Sequence, residues 1–371
     1  MRVSEFSPLL EADDPIMMIR PFQFEMACRL FPRYSSAPLS GIPVWLLCAL
    51  VFVLQTGLTR EARGEESPWE IVKYQGRDYL TADSIHRFYR FQSWSEESGH
   101  VWFKSPTVVL KGRIGSQDIL INDVRFIMSY PMAKSGSKVL ISRLDLVKLI
   151  DPVFRPSHIK HPVAFDTVVI DPGHGGHDGG AGGVAGKEKD FALDLGRRLK
   201  VELESKGLKV RMTRSTDTFL TLGERVRVAN RVPNSIFISL HFNAGPRTAN
   251  GIETFALSPQ GSSSTMVGSR RSDNVSFQGN RRDAENIALA TSVHASVLRD
   301  IPSVDRGIKR ARWAVLTGID RPAILFEGGF VTSPTEGREI GKTEHRAKLA
   351  AAIAKAVVTY RNAVAPKTPA P

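Results

Sequence analysis

Apolar and polar positions follow two different rhythms along this chain, and the change between them falls near residue 160. Upstream, from Trp69 to about Pro156, short apolar runs such as Val108-Val109-Leu110, Ile119-Leu120-Ile121 and Val139-Leu140-Ile141 are separated by Gly and Ser. That is the pattern of short strands joined by tight turns. Helices are predicted near Thr81 to Phe91 and Ser142 to Leu149. Downstream of Phe165, apolar runs alternate with segments whose apolar residues recur every three to four positions. Strands are predicted at 165–170, 208–212, 235–240, 251–257 and 323–326, and helices at 190–206, 220–232, 284–298 and 346–360. Ala192, Leu195 and Leu199 mark one helix face, with Gly207 as its stop; Leu222, Val226 and Ala229 mark the next. This alternation implies an α/β fold: a mostly parallel twisted sheet with helices on both faces over 163–362, preceded by a small α+β domain over 69–156. Arg155-Pro156 through His161-Pro162 reads as a linker, and 363–371 as a disordered Pro/Ala tail. The aperiodic Ser/Gly/Arg/Asn-rich stretch 259–282 is either a mobile basic flap beside the cleft or plain surface loop.

The first 64 residues change the picture. Ile42 to Leu54 is an apolar run broken only by Pro43 and preceded by Arg29 and Arg33. It is short for a membrane span and suits a signal-peptide core, with Ala62-Arg63-Gly64 as a small-x-small cleavage site. The residues before Met26 mix acids and bases, so Met26 is the expected start of translation. An uncleaved leader would be the one membrane attachment. Export to the periplasm or cell envelope is the expectation. The two cysteines, Cys28 and Cys48, both lie in this region, so the folded body has no disulfide, no Cys-based metal site and no thiol nucleophile. A formal charge of +12 predicts attraction to polyanions. No zinc-finger, RRM or recognition-helix pattern accompanies it, which disfavours nucleic acid and leaves the anionic polymers of an envelope.

Open α/β sheets place their sites beyond the carboxyl ends of the strands. His174 follows the first strand of this region, within Asp171-Pro172-Gly173-His174-Gly175-Gly176; His241 follows Ile236 to Leu240, and Glu327 follows Ile324-Leu325-Phe326. Glu188 opens the helix after the glycine-rich loop. Two imidazoles and one carboxylate make a catalytic metal shell with a position left for water. The residues alone leave open which carboxylate belongs to it, because Glu188 would also suit a helix N-terminus. A phosphate-binding reading of Gly186-Lys187 fails: it needs Gly at 181 and Ser or Thr at 188, where the chain has Ala and Glu.

Taken together, Asp171 to Gly176, Glu188-Lys189-Asp190, Thr213-Arg214, Glu224-Arg225 with Ala229-Asn230, Ser239 to Ala244 and Glu327-Gly328-Gly329-Phe330 form an ordered set. Over about Phe165 to Tyr360 the chain resembles the zinc-dependent N-acetylmuramoyl-L-alanine amidases of the amidase 3 type. The resemblance implies that His174, Glu188 and His241 bind Zn2+ and that Glu327 is the catalytic carboxylate. It implies peptidoglycan as substrate, cut at the amide between the MurNAc lactyl group and L-Ala. Asn243, Arg214 and Arg225 are candidate substrate contacts; the structural alternatives are a turn-forming role for Asn243 and, favoured for the two arginines, pairing with surface acids. Asp178 and Glu253 are further carboxylates, and His177 is expected beside the shell or in solvent. Ser333 stands where the family usually has Asn. No autoinhibitory insert is evident, and a protein activator stays open. A different zinc-dependent wall peptidase and a non-catalytic wall-binding protein are the competing readings. Residues 69–156 resemble the copper amine oxidase N-terminal-like domain through Ile121-Asn122-Asp123, Ser129-Tyr130-Pro131, Gly136 and Ile141 to Asp145. That resemblance implies no copper site and leaves two readings, wall binding or positioning, or a purely structural role. Trp94, Trp102 and Phe103 are candidates either to stack on sugar rings or to fill the core.

Overall fold

Residues 69–265 and 270–365 are described by a computed structural model. The expected leader, its cleavage site, the choice of start and the tail from 366 lie outside the described residues. From Ser67 onward the chain is one compact unit. It opens with strands β1 (Ile71–Tyr74) and β2 (Arg77–Thr81) and helix α1 (Ala82–Tyr89). Thr81 caps α1 by accepting the Ser84 N–H. A meander follows: β3 (Ser93–Glu97), β4 (His100–Lys104), β5 (Val109–Arg113), β6 (Asp118–Ile121) and β7 (Val124–Ile127). Strands β8 (Ala133–Ser135) and β9 (Lys138–Ser142) return to β2, giving a four-stranded antiparallel sheet ordered β1-β2-β9-β8. The predicted helix at 142–149 is α2 (Arg143–Asp145), a π turn (Leu146–Ile150) and α3 (Asp151–Phe154).

The second half supplies β10 (Thr167–Pro172), a small ribbon of β11 (Gly182–Gly183) and β12 (Gly186–Lys187), α4 (Glu188–Ser205) and β13 (Lys209–Met212). After these come α5 (Leu222–Asn230), β14 (Ser235–Asn243), β15 (Ile252–Leu257), α6 (Asp283–Asp300) and β16 (Asp305–Ala311). The chain closes with α7 (Ala314–Thr317), β17 (Ala323–Phe330), α8 (Pro334–Gly341) and α9 (Thr343–Val364). Strands β13-β10-β14-β17 are parallel. Val168 and Ile170 of β10 face a core shared with α4, α6 and α9, whereas Val169 faces a second core with α5 and α7. Both faces are thus covered, as a parallel sheet requires.

Two differences from the sequence reading matter. Strand β15 runs antiparallel to β17. The loop 244–251 is too short to hold a crossover helix, so the chain turns back at the end of β14 and enters the sheet from the same side. Consequently Leu257 and the described residues of the next stretch, 259–265 and 270–282, lie at the far end of β15 from Glu253. Those residues do not sit beside the cleft; Arg312 ties them down through Asp273, Pro259 and Ser262. Strand β16 and helix α8 were not anticipated. Among the described residues no helix is long and apolar enough to cross a membrane.

The meander and the catalytic strands belong to one sheet of eleven, ordered β13-β10-β14-β17-β15-β16-β7-β6-β5-β4-β3. The join is the parallel pairing of Ile308 in β16 with Phe126 in β7. Beneath it Arg310, 2% exposed, donates to Ser129 Oγ at 3.0 Å and to the Lys148 carbonyl at 2.9 Å. It also lies 3.5 Å from Asp145, which accepts the Ser129 and Tyr130 amides. Burial opposes the charge on Arg310 and lowers its pKa, and Asp145 and Asp283 offset part of that penalty. Breaking a buried ion pair from one side is costly. Arg310→Ala should therefore lower unfolding free energy by about 3 kcal/mol, read from the denaturant midpoint; a loss under about 1 kcal/mol would mean the join does not rely on it.

Candidate metal centre

The site begins with a loop that would not hold its shape unaided. After β10 the backbone runs through Gly173 into His174, whose φ of +57° is left-handed for a non-glycine residue. Gly175 and Asp178 bond each other's backbones across the turn. Two buried arginines grip it from below. Arg225 donates to Asp171 Oδ1 at 2.8 Å, to the Pro172 carbonyl at 2.7 Å and to the His174 carbonyl at 2.7 Å. Arg214 donates to the Pro172, Gly173, Thr216 and Lys189 carbonyls. Asp171, fully buried, also accepts from Thr213 and Ser239. The guanidinium donors of both arginines are therefore engaged by the loop, in keeping with the structural alternative.

This grip brings His174 to Glu188 and His241. Ligand atoms of the three lie within 4.8 Å of one another. Glu188, 5% exposed, stands at the N-terminus of α4, where the helix dipole favours its charge. Its Oε1 lies 3.1 Å from His174 Nε2 and 2.9 Å from His241 Nδ1, and its Oε2 accepts the Ala181 N–H at 2.9 Å. Burial opposes ionisation of Glu188, yet its hydrogen bonds to His174 and His241 hold the carboxyl below its ordinary range. Burial also opposes protonation of His174, but Glu188 and then Asp178 push its pKa up. Asp178 accepts from His174 Nδ1 at 2.9 Å, which orients the ring and leaves Nε2 for a metal. A Cβ on Gly173 would sit 2.3 Å from the His241 ring, so the cluster requires glycine there. The donor set of two imidazoles and a carboxylate fits a catalytic metal ion.

Glu327 faces this cluster by register. His241 in β14 pairs with Glu327 in β17, and Glu327 pairs with Glu253 in β15, so the three side chains share one face of the sheet. Glu327 Oε2 is buried without a hydrogen-bond partner. Burial first, then Glu188 and Glu253, push its pKa well above the usual carboxylate range. Glu253 is buried against Arg306 and Lys309, and Asn243 donates to it at 3.2 Å. Asn243 thus reaches the row through Glu253. His177 is exposed and packs at a tilt on Phe219 with ring centroids 4.1 Å apart, outside the cluster. Ser333 caps α8 by accepting the Glu336 N–H at 3.4 Å. Ser is among the residues favoured at a helix N-cap, and Asn is another. Arg306 and Lys309 went unforeseen because β16 carried no readable period.

Residues 168–359 match the family described as N-acetylmuramoyl-L-alanine amidase. The chain belongs to this family. Among amidases it is similar to AmiA of Escherichia coli K12, with 32% identity over 61% of this chain and 86% of that protein. It is also similar to LytC of Bacillus subtilis, 29% identical over 55% of this chain and 37% of that protein. Among solved amidases, AmiC2 of Nostoc punctiforme is 33% identical, with a TM-score of 0.44 over 52% of this chain and 96% of that one.

For this amidase the protonation states give a signed expectation. A raised His174 pKa contributes stability to metal-free protein that is present below about pH 6.5, the ordinary imidazole value, and lost as pH rises through its higher folded value. Metal binding requires neutral imidazole, so a bound ion stabilises more as pH rises. The difference in melting temperature between metal-loaded and chelator-treated protein should widen from about pH 6 to pH 8; a constant difference would remove His174 from the metal shell.

Proposed function

We propose that this chain is an exported, zinc-dependent N-acetylmuramoyl-L-alanine amidase that hydrolyses the amide between the MurNAc lactyl group and L-Ala in peptidoglycan. The observation that carries it is the convergence of His174, Glu188 and His241 beside the orphaned carboxylate of Glu327. Family membership supports the bond and the polymer. His174, Glu188 and His241 would hold the ion. Zinc, when bound, acidifies water and polarises a carbonyl.

The remaining steps belong to the protein. Glu327 takes a proton from the attacking water at its free oxygen and returns it to the departing L-Ala nitrogen. Its raised pKa brings the carboxyl nearer to neutrality, where one group can both accept and donate. Asp178 orients His174, and Arg214 and Arg225 keep its loop in place. The polymer lies outside the cytoplasm, which agrees with the leader inferred from residues 1–64.

Glu327→Gln should keep its metal and lose about a hundredfold to ten-thousandfold in turnover, whereas His174→Ala should lose the metal itself. Mass spectrometry of products from purified sacculi, with metal analysis of both variants, reads the two effects. Intact stem peptides beginning with L-Ala are expected. Shortened stems would indicate a peptidase, and equal metal loss in both variants would overturn the separation of roles.

A further inference from the structure

The eleven-stranded sheet has one side that is closed and one that is open beyond the active row. Helices α4, α9 and α6 cover the closed side of the catalytic strands, and the meander's buried residues Val101, Phe103, Leu110, Ile119 and Phe126 continue it. On the other side α7 packs on β15 and β17. Beyond them the face from β16 to β4 stays half-exposed or exposed. It is continuous with the row His241, Glu327 and Glu253, because Lys309 lies on the Phe255 and Glu253 side of β16. A register shift beside Gly307, at φ +92°, brings Arg306 to the same side.

Cross-strand register then places Arg125, Leu120, Lys111 and Trp102 in one line across β7, β6, β5 and β4. His100 stacks on Trp102 with centroids 5.8 Å apart, and Arg113 lies across from His100. Of the aromatic candidates, Phe103 is fully buried and Trp94 stacks on it from the core side; only Trp102 belongs to this open face. Lys111 and Arg125 pair with Asp123 and Asp118, and Glu97 lies opposite His100 at the outer edge. Arg113 has no side-chain partner among the described residues, and Arg306 and Lys309 share the single carboxylate of Glu253. The face thus carries one unpaired guanidinium, that of Arg113, beside the aromatic pair of His100 and Trp102.

We infer that this open face is the binding track for the glycan strand of peptidoglycan, whose peptide amide is presented at His174, Glu188, His241 and Glu327. From β17 to β4 is six strand steps, roughly 29 Å at about 4.8 Å each, room for several sugar rings. Aromatic rings stack on the apolar faces of pyranoses, and Arg and Lys donate to acetamido carbonyls and carboxylates. The track rests on the amidase reading for its ligand, but its existence is a separate question from whether the row cleaves.

The test uses the full chain with Arg113→Glu and Trp102→Ala, and Lys355→Glu, at an exposed position of α9, as a control for net charge. Two substrates separate the track from the row: whole sacculi, and a soluble monomeric disaccharide-peptide too short to reach β4. Both track variants should bind sacculi roughly fivefold more weakly in co-sedimentation, the scale of one lost stacking or charged contact. They should release peptide from the soluble substrate at the parental rate, while the control matches the parent on both. Unchanged sacculus binding by both variants, with melting temperatures intact, overturns the track; so does equal loss on both substrates in the exposed Arg113→Glu variant. Should the parent cleave neither substrate, the amidase reading fails, and co-sedimentation still decides the track.

Discussion

The buried pair of Arg225 and Asp171 is the interaction on which the rest of the site depends. Both side chains are almost fully enclosed, 2.8 Å apart, and both have further partners in the same loop. A charge in that position is tolerable only when paired and hydrogen-bonded. Here the pairing does more than neutralise. By taking up the carbonyls of Pro172 and His174, Arg225 fixes a left-handed histidine that no local preference would stabilise, and Arg214 completes the grip. The imidazole is thereby aimed at Glu188.

Sheet order supplies the other half. Because β15 turns back beside β17, Glu253 enters from one strand and His241 from the other, with Glu327 between them on one face. Glu253 is neutralised by Arg306 and Lys309, so a second carboxylate can sit next to Glu327 without unfolding the strand ends. The same strand, β16, passes the sheet on to β7. A single pairing therefore links the chemistry to the meander and leaves an open face running between them.

The main catalytic-half helices and strands were legible because their apolar residues repeat at helical or strand spacing, and the caps marked several ends: Thr221 with Glu224 forms a capping box at α5, and Gly207 follows α4. The strand β16, Asp-Arg-Gly-Ile-Lys-Arg-Ala, was not legible. Its polar residues are buried or paired by partners far away in the chain, and its bulge breaks the alternation that a reader counts. For the same reason Arg306 and Lys309 could not be foreseen as neighbours of Glu253. Arg214 and Arg225 were visible as motif members, but whether their donors face solvent or backbone depends on what lies above them.

By itself the sequence determined the α/β class and marked four candidate groups, three after strands and one at a helix start, since element ends and residue type are local properties and the motifs stand in order along the chain. Only the tertiary structure decided which of them meet, which carboxylate is shared by two imidazoles and which is left without a partner. It also decided that the N-terminal strands extend the catalytic sheet. Those outcomes turn on register, strand direction and the burial of charges, and each is set by contacts between segments that are remote in sequence.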